Sequence, residues 1–155
     1  MIKKILNTKN INYSSNLNGD SLRQIIEDVF KQSDLSFVGK FTSQYEFETY
    51  DKWTYIKWYV PHFKRKTAYL YGEIIKSGKG TLLMLNIKPN PVIAIFPIPT
   101  ILIGIITLIV ADSSNKTLIF GLIIIAVGIL FYLFGMFITS RLRNNFKKYF
   151  DLKKV

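Results

Sequence analysis

Two apolar runs, Val92 to Ala111 and Thr117 to Ile138, stand with only the polar link Asp112-Ser113-Ser114-Asn115-Lys116 between them, and neither contains a charged residue. At a helical rise of ~1.5 Å per residue, each run reaches roughly 30 Å, the thickness of a bilayer's hydrocarbon core. Their Ile, Leu, Val and Phe content favours insertion at every turn. The pattern predicts a two-helix transmembrane hairpin over residues 92–138 and an integral membrane protein.

The anchor limits everything else. Of 155 residues, the section before the first run can hold one small domain, and the tail after the second run one helix. The chain has no cysteine, so disulfides, thiolate metal sites and cysteine nucleophiles are excluded. The N-terminus turns polar at Asn7 after two lysines, which is not the pattern of a cleaved signal peptide. The formal net charge is +11, and it gathers beside the apolar runs. Lys88 before the first run and Arg141, Arg143, Lys147 and Lys148 after the second place both termini in the cytoplasm, because flanking Lys and Arg stay inside. The expected partner of this charge is a bilayer with anionic headgroups rather than nucleic acid.

Residues 1–18 read as a flexible lead-in, rich in Asn and Ser. Residues 19–91 read as a cytoplasmic α+β domain. Leu22, Ile25, Ile26, Val29 and Phe30 form the stripe of an amphipathic helix, with Ser21 and Gln24 as its capping box. Four strands are predicted after it, Leu35 to Thr49, Trp53 to Val60, Thr67 to Lys76 and Thr81 to Lys88, in an antiparallel sheet. Phe37, Phe41, Tyr45 and Phe47 share one face of the first strand, and Lys40, Thr42, Gln44, Glu46 and Glu48 mostly occupy the other. Trp53 to Val60 is apolar on both faces and is expected to be central. As an up-and-down meander, the sheet would place the link Pro61 to Lys66 at the membrane end, and the turns at Asp51 and Gly78 away from it.

That link carries His62, Phe63, Lys64, Arg65 and Lys66, which with Arg141, Arg143, Lys147 and Lys148 form the expected membrane-surface set. Residues 139–155 read as a basic amphipathic helix continuing the second span, its face of Leu142, Phe146, Tyr149 and Phe150 expected to dock on the sheet. Gly121, Gly128 and Gly135 recur every seven residues and form one groove along the second span. Gly104 and its neighbours in the first span are expected to fill it, the alternative being a second copy of the chain. Pro97-Ile98-Pro99 is expected to start the first helix at Pro97 or Pro99, leaving residues 92–96 as an apolar interfacial linker.

Little here suggests catalysis. His62 is the one histidine and has no acidic neighbour in sequence; Glu46, Glu48 and Asp51 read as exposed strand charges; Gly78-Lys79-Gly80-Thr81 reads as a hairpin turn rather than a phosphate loop. No cofactor or metal is expected. The aromatic side chains Tyr45, Trp53, Tyr55, Trp58, Tyr69 and Tyr71 are the candidate ligand contacts.

The α-helix, Phe37-Val38-Gly39-Lys40-Phe41, Tyr71-Gly72-Glu73-Ile74-Ile75 before Gly80-Thr81-Leu82-Leu83, the hairpin anchor and the closing helix together resemble small uncharacterised bacterial two-span membrane proteins with a cytoplasmic α+β domain. Parts of the layout are also similar to antiphage effectors that join a two-span anchor to a β-barrel nucleotide sensor, in which the spans come first. The resemblance implies the bacterial inner membrane. The expected function is that of a non-enzymatic membrane-anchored binding or interaction module. The alternative is a membrane-perturbing effector or pore that oligomerises through its spans on sensing a ligand.

Overall fold

The computed structural model describes residues 8–52, 66–77, 80–111, 115–150 and 153–154. In chain order these form β1 (Lys9–Ser15), α1 (Gly19–Lys31), β2 (Phe37–Phe41), β3 (Glu46–Asp51), β4 (Ala68–Ser77), β5 (Gly80–Pro89), α2 (Pro91–Ile95), α3 (Pro97–Val110), α4 (Asn115–Tyr149) and the short β6 (Lys153–Lys154). The class is α+β. An antiparallel sheet of order β2-β3-β4-β5-β1, with β6 on its outer edge, carries α1 and the last third of α4 on one face. Two long apolar helices, Pro91–Val110 and Asn115–Tyr149, leave the sheet from one end.

The strand set differs from the sequence expectation at three places. The lead-in is not flexible: Lys9 to Ser15 pairs with β5 from Lys9↔Ile87 to Ser15↔Thr81. Its alternation is real but sparse, with Tyr13 buried and Ile11 half-buried while Asn10, Asn12 and Ser14 face solvent, so composition hides the strand. The stretch Leu35 to Thr49 is not one strand but a hairpin. Thr42 and Ser43 donate backbone N–H bonds to the Glu46 carbonyl at 2.9 and 3.2 Å, and Ser43 Oγ accepts from Glu46 N. Phe41 then lies directly opposite Phe47, so the aromatic alternation runs through the turn as if the strand were unbroken. Thirdly, β3 pairs directly with β4, from Glu46↔Glu73 to Tyr50↔Tyr69, where a further central strand is expected between them. Trp53 to Val60 itself lies outside the described residues.

The extra reversal at residues 42–45 changes which turns share an end. Phe37 and Asp51 pair where β2 begins and β3 ends, and Ala68 and Pro89 pair where β4 begins and β5 ends. Asp51 therefore lies at the end from which the long helices leave, the hairpin end, and not away from it. The β4–β5 turn remains at the far end, with Gly80 at φ +137°, a conformation glycine tolerates and other residues resist.

One core joins sheet and helices. Leu22, Ile26 and Val29 of α1 and Ile138, Leu142 and Phe146 of α4 meet Phe37, Phe47, Leu70, Ile74, Leu83, Leu85 and Ile87 from the sheet. Phe146 is fully buried, stacked on Phe47 with centroids 5.6 Å apart, and tilted against Phe37 at 5.8 Å and Phe150 at 4.7 Å. The tail helix thus docks on the sheet. It stops at Tyr149, however, and Lys153 and Lys154 pair with Ser14 and Tyr13 of β1 rather than continuing the helix. Glycine makes two of the close approaches possible: a Cβ at Gly72 would sit 2.0 Å from the Phe47 ring, and one at Gly39 would sit 2.3 Å from the Phe30 ring.

Two helix starts also differ. The cap of α1 is Asn18, whose side chain accepts from Asp20 N at 2.7 Å, three residues earlier than the expected Ser21 box. The expected linker at residues 92–96 is instead mostly the short helix α2, Pro91–Ile95, capped by Asn90, and α3 begins at Pro97 where its missing N–H costs no bond. Asn90 is 1% exposed and ties three elements together. Its Nδ2 donates to the Lys66 carbonyl at 2.9 Å, its N–H to the Thr67 carbonyl at 2.8 Å, and its Oδ1 accepts from Val92 N at 3.0 Å.

Candidate functional site

The helix contact accounts for three of the four singled-out glycines. A Cβ at Gly104 would lie 2.6 Å from Ile125 Cγ1, one at Gly121 2.7 Å from Leu108, and one at Gly128 2.6 Å from Ile101 Cγ1. These residues bring α3 and α4 of the same chain into backbone contact, so the groove is filled from within. Gly135 is buried further along, and its carbonyl accepts from Thr139 Oγ1 at 3.0 Å. Away from this seam the helices are apolar and open, with Ile106, Ile109, Val110, Leu130 and Phe137 all more than half exposed. Less than a quarter of either apolar stretch is buried. Helices of this length and surface are long and apolar enough to cross a membrane.

Cations from several elements meet at the hairpin end. Lys66 precedes β4, with its backbone N–H donating to Tyr69 Oη at 3.0 Å and its Nζ 5.3 Å from the Tyr50 ring centroid. Lys88 is the penultimate residue of β5, with its Nζ 4.4 Å from the Tyr71 ring centroid. Arg141 stands on α4 three residues past Ile138, its Nε 3.9 Å from the buried carboxylate of Asp51. Lys9 starts β1 and donates to Ser140 Oγ at 3.4 Å. Lys9 falls in the Asn- and Ser-rich stretch before α1. Its partner strand, not local composition, places it here.

The remaining members of the expected membrane-surface set separate. Arg143 donates from Nε to Asn144 Oδ1 at 3.1 Å. Lys147 and Lys148 lie nine and ten residues past Ile138, ~14 Å further along the helix axis, between Phe146 and Tyr149, whose rings pack on Phe37. His62, Phe63, Lys64 and Arg65 lie outside the described residues.

The aromatic candidates do not gather into one site. Tyr45 belongs to the far end, where its hydroxyl donates to Asp20 Oδ1 at 2.9 Å and Lys76 Nζ lies over its ring at 4.8 Å. Lys76 also pairs with Asp20 Oδ2 at 2.9 Å. The Lys76 and Tyr45 bonds hold the Asp20 carboxyl below its ordinary value of 3.8, and Tyr45 and Asp20 together raise Lys76 above 10.5. Tyr69, which is buried, and Tyr71, half-buried, stack at 6.5 Å on the sheet face opposite α1. Trp53, Tyr55 and Trp58 lie outside the described residues.

That open face, opposite α1 and α4, bears a shallow cleft of about 330 Å³ lined by Asn10, Asn12, Glu46, Tyr71, Glu73 and Met84 among others. Its polar groups are chiefly amides and carboxylates. Glu46 lies directly opposite Glu73, a like-charge cross-strand pair that is mildly unfavourable on its own. No group of three or more His, Asp or Glu side chains suited to a metal occurs among the described residues. No family model, no curated protein and no solved structure matches the chain.

Proposed function

We propose that this chain is an integral protein of the bacterial inner membrane with both termini in the cytoplasm, and that it works as a non-enzymatic binding module. The observation that carries this reading is α4, one uninterrupted helix of 35 residues whose first part is apolar and open and whose last part is built into the head's core. The head is therefore fixed to its anchor, with no linker between them. Such a construction suits presenting a surface at a set height and orientation. The surface presented is the open sheet face with its cleft of amides, carboxylates and the Tyr71 ring. Lys66, Lys88 and Arg141 at the hairpin end support an inward-facing head, and the link at 112–116 carries no net charge.

The absence of cysteine makes topology simple to test with single-cysteine variants. Lys116→Cys should react with an impermeant maleimide in intact cells, and Glu27→Cys only after permeabilisation. The binding role is tested on the full chain in nanodiscs against a metabolite panel, with the Met84 methyl resonance reporting the cleft and mass spectrometry reporting turnover. A compound that shifts Met84 and is recovered unchanged supports the reading. Turnover of a compound, or no shift from any, overturns it.

A further inference from the structure

We propose that the hairpin end of the head is a binding surface for anionic phospholipid headgroups, formed by Lys66, Lys88 and Arg141 with the ring of Tyr50. The proposal rests on the membrane reading above and adds to it which cations meet the lipid. The first argument is depth. Phe137 is 62% exposed and the next residue, Ile138, is 3% exposed; on the other strand of the connection Ile95 is 55% exposed and Ile93 is 7% exposed. Lipid-facing side chains thus give way to head core within a residue or two, so the sheet's end rests at headgroup level.

The second argument is how charge is sorted along the open face. Cross-strand register groups its residues into rows: Val38, Tyr50, Tyr69 and Lys88 nearest the hairpin, then Lys40, Glu48, Tyr71, Asn86 and Asn10, then Glu46, Glu73, Met84 and Asn12. The near row is cationic and aromatic, the middle row balances Lys40 against Glu48, and the far row is acidic. Four residues of strand separate near from far, ~13 Å, which exceeds a screening length of roughly 8–10 Å. Anionic headgroups would attract the first row and scarcely reach the third. Tyr50 and Tyr71, half-buried with Lys66 and Lys88 over their rings, also fit the chemistry of an interface, which suits side chains with an apolar ring and a polar tip.

The test uses the full chain in bilayers of phosphatidylcholine and measures the association of spin-labelled phosphatidylglycerol relative to spin-labelled phosphatidylcholine. Wild type should select the anionic lipid, with selectivity reduced by 0.5 M salt. Lys88→Gln, at an exposed position, and Lys66→Gln should each lower it by up to about fivefold, and the triple variant with Arg141→Gln should bring it near one. Lys147→Gln with Lys148→Gln should leave it unchanged, although the same sequence run carries them. Equal loss from the Lys147/Lys148 pair, or no selectivity in wild type, overturns the proposal. Release of wild type from membranes at alkaline pH would instead overturn the membrane reading itself.

Discussion

Phe146→Ala separates anchoring from folding, because Phe146 is the point at which the second long helix becomes part of the head. Its ring is fully buried and touches Phe47, Phe37 and Phe150 at centroid distances of 5.6, 5.8 and 4.7 Å. Truncating a buried phenylalanine costs ~3–5 kcal/mol, part lost transfer energy and part cavity. A small domain is stable by only ~5–15 kcal/mol, so this is a large fraction. With a urea dependence of ~1–1.5 kcal/mol per molar for a head of this size, the midpoint should fall by ~2–5 M. Urea unfolding of the full chain in nanodiscs, followed by circular dichroism and by amide exchange in β2 and β3, reads the effect. Insertion should not change, since transfer of the apolar runs into lipid does not involve Phe146. Lys147→Ala, at the exposed neighbouring position, should move the midpoint by less than ~0.5 kcal/mol equivalent. If Phe146→Ala behaves like Lys147→Ala, the tail is not part of the core and the rigid coupling of head to anchor is refuted.

Gly72→Ala should destabilise the head by ~1–3 kcal/mol, because its Cβ would overlap the Phe47 ring and the β3–β4 register leaves no room to yield; a urea midpoint unchanged from wild type would refute this. Gly128→Ile should part α3 from α4 by ~2 Å or more, read as a longer distance between spin labels at Ile98 and Leu130, because Ile101 already lies against the bare backbone. The Asp20 carboxyl should titrate below 3.8 by carbon NMR, and Lys76→Met should move its midpoint upward toward that value. Because its folded value is depressed, the Asp20 contribution is complete above pH 3.8 and is lost as pH falls through the folded value; that of Lys76, which is raised, is complete below pH 10.5 and is lost as pH rises through its own folded value.

Local rules served the sequence reading well where one residue's neighbours decide its state. The β4–β5 hairpin, the α1 stripe, the start of α3 at Pro97 and the α3–α4 glycine seam follow from period, turn chemistry and side-chain size. They failed where two distant segments supply the stability. β1 gains its strand geometry from β5, more than sixty residues away, and a run of Asn and Ser shows no trace of that partner. The hairpin at 42–45 was masked because Phe41 and Phe47 keep the period through the turn. From that one missed reversal followed the misplacement of Asp51.

What the amino-acid order determined alone is the pair of long apolar helices, because the transfer preference of twenty uncharged residues adds up along the chain and needs no partner. The class of the head was legible for the same reason, as alternation and stripes record which faces seek burial. Which cations stand together was decided only in three dimensions. Lys9, Lys66, Lys88 and Arg141 come from β1, the approach to β4, β5 and α4, and stand at one end because strand direction and register carry them there, while Lys147 and Lys148 lie nine and ten residues past Ile138 on α4. Charge is written residue by residue, but its neighbours are set by pairing, and pairing is a property of the folded sheet.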